Sequence, residues 1–447
     1  MPNQQPVTVI GGGLAGCEAA WQLAQRGIPV RLYEMRSGRS TPAHQTDNLA
    51  ELVCSNSLKS EAPDSAPFLL KQELRAMHSL LLRIADSCRV PAGQALAVDR
   101  SLFSAQATEE IHRHPAITLI REELCRIPAE GAVVVATGPL TSDGLSQAIA
   151  GLTGAEHLYF YDAISPIVDA ATLDMDRVYA ASRYGKGGAE DYLNCPMSEA
   201  EYDRFFHALL GAATVPFRDF EKTAFFEACL PLEELARRGR NTLLFGPMKP
   251  VGLIDPRTGR RPCAVLQLRK ENLMSDSYNL VGCQNHMKFD DQREVFRLVP
   301  GMERAEFLRY GQVHRNTYIN APRALLPTLQ ARQDSRVLFA GQISGVEGYI
   351  ESIATGLIAG INAARMVQEN EPLVFPEATA CGSLVRYISM ADPEDFQPMN
   401  TTFGLLPPLP DEMRRRLKDK RKRHLYQVES ALEIHREFLN RYPEIFP

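Results

Sequence analysis

The chain has 447 residues, a net charge of −5 and 45% hydrophobic residues. That composition is enough to fill packed cores in two or three domains of roughly 150 residues each, and the acidic balance excludes a globally basic nucleic-acid binder but not a local basic patch. No apolar run approaches the ~18 residues of a membrane helix, and the N-terminus runs almost at once into an apolar strand, so we expect neither a membrane span nor a signal peptide, and a cytoplasmic protein.

Val7–Ile10 is a short apolar, β-branched run, and Gly11-Gly12-Gly13-Leu14-Ala15-Gly16 follows it directly. An Ala-rich helical stretch then ends at Gly27, and a second strand, Val30–Tyr33, ends at Glu34. This order of strand, glycine turn, helix, strand and acid is the pattern that holds a dinucleotide. Gly11 permits the turn, Gly13 lets a pyrophosphate approach the backbone, and Gly16 lets the helix pack on the strand. The helix N-terminus offers free N–H groups and partial positive charge to the phosphates. Glu34 is placed to accept ribose hydroxyls and to repel a 2′-phosphate, which suits FAD or NAD better than NADP.

Further along, Ala132–Gly138 reads as a buried strand ending in a small-residue turn that includes Thr137 and Gly138. Residues from about 150 to 310 alternate short strands with helices: an amphipathic helix over Glu199–Leu210, strands over Val265–Leu268 and Tyr278–Val281, and a loop over Phe245–Gly252. Arg336–Gln342 is another strand and turn. Gly341, Gly345, Glu347, Gly348 and Tyr349 then precede a long small-residue helix from Ser352 to about Met366. A second helix N-terminus aimed at a ligand is how two-part flavoproteins meet the flavin ring, so the three segments together favour FAD over NAD. No second glycine fingerprint occurs, so NAD(P)H is expected to visit the flavin face without a fold of its own. The expected class is α/β, a Rossmann-like FAD-binding domain split by an inserted α+β substrate domain. Its expected parts are 1–155, the insertion 156–308, the second FAD-binding part 309–370, and a C-terminal helical segment 371–447.

Nine cysteines are scattered with no pair three apart, so free thiols are expected, with neither a redox pair nor a metal site. Between Arg414 and Arg423, eight of ten residues are Lys or Arg: Arg414, Arg415, Arg416, Lys418, Lys420, Arg421, Lys422 and Arg423. This run reads as one basic helix, either a solvated face or a phosphate-contacting surface. Arg237-Arg238-Gly239-Arg240 is a weaker patch.

Longer motifs carry a resemblance. Gly11–Gly16 with Glu34, Thr41–His44, Glu51–Leu58, Pro91–Gly93 with Ala95–Arg100, Tyr192–Met197, Phe225–Pro231, Gly246–Leu253 and His314–Tyr318 together resemble the folate- and FAD-dependent tRNA (uracil-5-)-methyltransferases, the TrmFO family, from Val7 to about Leu406. The resemblance implies ribothymidine formation at T-loop position 54 of tRNA. The carbon would come from 5,10-methylenetetrahydrofolate and the electrons from NAD(P)H through FAD. It implies a relationship to larger flavoproteins that modify wobble uridines, and with it the alternatives of another flavin-dependent uridine modifier or a flavin-bound RNA-binding factor without catalysis. Uracil C5 is a poor nucleophile until a thiolate adds to C6. The resemblance puts that nucleophile at Cys229 and a second cysteine, which guards the flavin or moves a proton, at Cys54. The base that removes the C5 proton is open among His44, Glu347 and His286. Tyr349 is placed to stack on a ring. Lys249, Arg315 and the Arg414–Arg423 run are expected to meet the RNA backbone, whose target base must be unstacked.

Overall fold

A computed structural model of the chain describes residues 5–39, 41, 43–154, 158–188, 191–215 and 230–446, without the side chains of 158–162 and 313–315. The first stretch holds β1 (Val7–Ile10), α1 (Leu14–Gln25), β2 (Val30–Tyr33), β3 (Ser57–Ser60), α2 (Ala66–Ala76), α3 (Leu80–Ser87), β4 (Arg89–Val90), β5 (Ala95–Val98), α4 (Arg100–Arg113), β6 (Ile117–Ile120), β7 (Val133–Val135) and α5 (Asp143–Thr153). The middle holds β8 (Leu158–Ala163), β9 (Ile167–Asp169), β10 (Tyr179–Ala180), β11 (Tyr192–Met197), α6 (Glu199–Gly211), α7 (Leu232–Arg237), α8 (Arg240–Phe245), β12 (Ala264–Lys270), β13 (Ser277–Leu280), α9 (Phe289–Phe296), β14 (Phe307–Arg309) and β15 (Val313–Tyr318). The chain closes with α10 (Ala321–Ala324), β16 (Val337–Phe339), α11 (Tyr349–Val367), α12 (Ala380–Met390), α13 (Asp411–Arg416) and α14 (Lys420–Asn440).

Five strands from distant parts of the sequence form one parallel sheet, ordered β16-β7-β1-β2-β6. β1, β7 and β16 are buried throughout, which is why they read as unbroken β-branched and apolar runs rather than alternating ones. From β1 the order runs one way through β2 and β6 and the other way through β7 and β16. The gap beyond the ends of β1 and β7 is therefore the switch point where an open parallel sheet receives its ligand. The fold is the Rossmann-like α/β arrangement that the opening segment suggests.

α1 and α11 cross that sheet side by side, joined by small residues. A Cβ added at Gly356 would lie 2.3 Å from the Ala15 carbonyl oxygen, and one at Gly360 would lie 2.6 Å from that of Ala19. The two glycines let the backbones touch where any side chain would hold them apart.

The middle of the chain builds a separate antiparallel sheet, β10-β11-β12-β13-β9-β14, with its own core of Phe205, Leu209, Leu243, Leu266, Phe296 and neighbours. The chain enters and leaves this region on β8 and β15, which pair antiparallel from Leu158↔Tyr318 to Ala163↔Val313. No helix among the described residues is long and apolar enough to cross a membrane.

The basic run differs from expectation. It is not one helix: Arg414, Arg415 and Arg416 end α13, and Lys420, Arg421, Lys422 and Arg423 open α14. Asp419, one of the two residues that interrupt the run, caps α14 by accepting the Lys422 N–H at 2.8 Å. A short polar side chain at that position is a start signal for a new helix.

Candidate functional site: a nucleotide cleft with a cysteine at its rim

A cleft opens at the switch point. Gly11, Gly13, Leu14, Ala15, Glu34, Thr137, Gly138, Gly341 and Tyr349 line it, with Arg36, His44, Val53, Ser142, Gln342 and Ser352. Gly12, Gly16, Gly345, Glu347 and Gly348 are not among its lining.

The glycines divide their work. Gly11 has φ +103°, and a Cβ on it would lie 2.5 Å from the Ala136 carbonyl oxygen, so the turn between β1 and α1 admits only glycine there. At Gly16 a Cβ would sit 1.8 Å from the Gly11 carbonyl oxygen, which forces the helix against the turn. Around Gly13 the corresponding space is open. Gly13 is also the N-cap of α1 and supplies no side-chain cap. A bare backbone approach in front of an uncapped helix start is what a pyrophosphate needs. These residues fit the diphosphate of FAD.

Glu34 ends β2, is buried, and accepts from the Gly12 N–H at 2.9 Å. Arg36 gives it three more donors: the backbone N–H and Nε to Oε1 at 3.0 Å each, and Nη2 to Oε2 at 3.2 Å. Burial works against ionisation of Glu34, but the Arg36 guanidinium outweighs it and holds the carboxyl below the usual range. Four donors fill the four lone-pair positions of a carboxylate, so a ribose hydroxyl at Glu34 would share it with Arg36. Arg36 also pairs with Glu51 at 3.4 Å.

Behind Tyr349, Cys54 and Ser55, which are not among the lining, donate their backbone N–H groups to its hydroxyl oxygen at 2.7 and 3.1 Å. The Cys54 thiol reaches the Ala163 carbonyl at 3.8 Å. The region around Cys54 is rich in guanidinium groups. Arg100 donates to the Leu52 carbonyl at 2.5 Å and pairs with Glu271 at 2.9 Å. Arg269 holds Asn56 and Ser55 side chains at 2.8 and 2.9 Å. Arg309 reaches the Ala43 carbonyl at 3.1 Å. Burial pushes the Arg269 and Arg309 pKa values down, and outweighs the opposing pull of Glu271 on both. Only Arg100 falls in a sequence motif, at the end of Ala95–Arg100; the three come from β14, β12 and the start of α4 and converge only in the fold.

Cys229 lies outside the described residues. Leu232, three positions after it, donates its N–H to the Gln284 carbonyl at 2.7 Å. Glu233 accepts the His286 N–H at 2.8 Å and pairs with its ring through Nδ1. Val215, before the undescribed stretch, donates to the His286 carbonyl at 2.9 Å. The described ends on both sides therefore meet at His286. His44 lies in the cleft with Nδ1 2.6 Å from Thr41 Oγ1; burial, then Arg36, lowers its pKa to about 4, so it is neutral near pH 7. Glu347 is held through its backbone by Met399 at 3.0 Å. Lys249 sits on the loop after α8, its carbonyl bound by Arg183. Arg315 is on β15, and its side chain lies outside the description. Arg421 pairs with Asp64 at 3.2 Å, which puts the start of α14 beside α2. No group of three or more His, Cys, Asp or Glu among the described residues could hold a metal ion.

The model for the family described as "Glucose inhibited division protein A", GIDA, matches residues 6–371. A protein of Koribacter versatilis named "Methylenetetrahydrofolate–tRNA-(uracil-5-)-methyltransferase TrmFO" is 59% identical over 96% of this chain and 96% of its own length. One of the same name from Heliobacterium modesticaldum is 57% identical over 97% and 98%. The chain belongs to this TrmFO family, within the GIDA family. Among solved structures, GidA of Aquifex aeolicus superposes with a TM-score of 0.69 at 15% identity, covering 97% of this chain and 73% of that one, which shows the shared fold.

Proposed function

We propose that this chain is a FAD-dependent enzyme that forms 5-methyluridine at position 54 in the T-loop of tRNA. It takes the carbon from 5,10-methylenetetrahydrofolate and the reducing equivalents from NAD(P)H. The observation that supports this reading is the nucleotide cleft lined by Tyr349, whose hydroxyl accepts the Cys54 backbone N–H, in a chain 54–59% identical over almost its full length to proteins named for that reaction.

Residues 1–155 and 309–370 form the two parts that hold FAD, 156–308 the insertion that receives the uridine, and 371–447 the segment that presents the basic run. Gly11, Gly13 and the start of α1 hold the diphosphate, and Glu34 with Arg36 meets the adenosine side. Gly345, Glu347 and Gly348 shape the turn that aims the start of α11 into the cleft. When bound, FAD supplies electrons and passes on the one-carbon unit. Cys229 adds to uracil C6, and Cys54, next to the lining residue Val53, guards the flavin or moves a proton. Lys249, Arg315 and the run from Arg414 to Arg423 contact the RNA backbone. The place of action is the cytoplasm.

The test is incubation with a T-arm RNA, methylenetetrahydrofolate labelled in the methylene carbon, and NADPH. Label in 5-methyluridine is expected, with none when folate is omitted. NADPH oxidation without labelled RNA would instead favour a different flavin-dependent uridine modifier. Cys229→Ala is expected to abolish the label while the protein stays yellow.

A further inference from the structure

Tyr349 is the first residue of α11, and its ring forms part of the cleft wall. A phenol oxygen has two acceptor positions and one proton to donate. The Cys54 and Ser55 amides, at 2.7 and 3.1 Å, occupy both acceptor positions. Among the described residues no acceptor receives the remaining O–H. The hydroxyl is thus held by its oxygen, beside a cleft that its own residue helps to line, and its proton is left over.

The surroundings treat the two forms of this phenol differently. Burial, then the neighbouring Cys54, pushes its pKa up, so the phenol is protonated at neutral pH. Two backbone N–H groups aimed at the oxygen are also the arrangement that stabilises an oxyanion. Arg100, anchored on the Leu52 carbonyl, adds positive charge from the same side. A residue that starts as an acid and has a prepared seat for its conjugate base is suited to giving a proton and taking it back.

We propose that Tyr349 is a proton donor of the methyl-transfer reaction, an inference that rests on the function proposed above. Its O–H bond breaks, the proton passes to an anionic oxygen or nitrogen of the bound reactants, and the electron pair stays on the phenolate between the Cys54 and Ser55 amides. Water returns a proton after the product leaves. None of His44, Glu347 and His286 combines a place in the cleft with such a seat. His44 lines the cleft with its Nδ1 against Thr41 Oγ1, and the other two are not part of the lining.

The test uses the full-length FAD-loaded protein. Tyr349→Phe keeps the ring and removes the proton. It is expected to retain FAD, shown by an unchanged flavin absorbance per protein, and to lower single-turnover methyl transfer by about 10²–10⁴-fold, the range for a lost acid–base group. A second variant places 3-fluorotyrosine at 349, which makes the phenol more acidic while keeping its hydrogen bonds. Because the hydroxyl is kept, methyl transfer is expected to stay within about tenfold of wild type rather than fall as in the Phe variant, and the ¹⁹F resonance to shift when FAD is added to the FAD-free protein. Turnover of the Phe variant within about threefold of wild type, or a fluorotyrosine variant as slow as the Phe variant, overturns the proposal. So does a ¹⁹F signal blind to FAD, which would place the hydroxyl outside the cleft. If the wild type makes no methyluridine, the functional reading falls instead, and the ¹⁹F response alone then decides whether Tyr349 faces the cofactor.

Discussion

Gly16 and His435 show how one side chain, or the lack of one, sets a measurable property. The 1.8 Å approach of a Cβ at Gly16 to the Gly11 carbonyl oxygen means that Gly16→Ala must push α1 off the phosphate turn. Overpacking of this kind costs about 1–3 kcal/mol, and loss of FAD affinity should exceed that of stability. Equilibrium dialysis with FAD beside a urea melt checks both. His435, on the inner side of α14, is buried with its Nε2 unpartnered. Burial lowers its pKa to about 4 from 6.5, so the folded state keeps it neutral. The stability tied to this neutral ring is present above pH 6.5 and is lost as the pH falls toward 4. His435→Leu should therefore shrink the loss of stability between pH 7 and 4.5 by about 2–3 kcal/mol, since one pKa unit is about 1.4 kcal/mol. Urea midpoints at the two pH values measure it, and an unchanged acid limb would refute the assignment.

At the scale of the element, the opening of α14 is electrostatically costly. Lys420, Arg421, Lys422 and Arg423 occupy the first turn, where the helix dipole disfavours cations. Stability alone would place acids there, so these residues are better explained by an anionic partner. The double substitution Lys420→Glu, Lys422→Glu, which leaves the Arg421–Asp64 pair in place, is expected to leave the melting temperature equal or slightly raised while weakening tRNA binding severalfold and flattening its salt dependence. Filter binding at two salt concentrations checks this, and unchanged affinity at low salt would remove the run from the RNA surface. The buried carboxylates work the other way. Glu18 accepts from Ser79, Leu80 and Leu81 at the start of α3, and Glu73 accepts the Ala380 and Cys381 amides at the start of α12. Each satisfies a helix start from a neighbouring helix and fixes how the two meet.

At the scale of the whole molecule, a ligand that binds only the folded chain stabilises it by mass action. FAD added at about 100 times its dissociation constant should contribute about 2.7 kcal/mol and raise the melting temperature by scanning fluorimetry; no shift would mean that the cleft does not take FAD. The nucleotide half was legible in the sequence because local rules govern it. Glycine spacing, an apolar run and a terminal acid fall within 34 residues, and each has a local steric or electrostatic reason. The meeting of Arg100, Arg269 and Arg309 was not legible, because no spacing relates the start of a helix in the nucleotide half to two strands of the inserted sheet. The break in the basic run was missed for a smaller reason: Asp419 was read as an interruption in charge rather than as a cap. The Tyr349 hydrogen bonds were hidden as well, since their partners are backbone amides nearly three hundred positions away.

The pairing of β8 with β15 has one more consequence. Because Ala163 and Val313 lie opposite each other, the roughly 150 residues between them leave and return through a single doorway. Such an excursion could be gained, exchanged or lost in one genetic event without reordering the parallel strands behind it. Relatives that share the nucleotide half are therefore free to carry quite different catalytic cargo on the same hinge-pin.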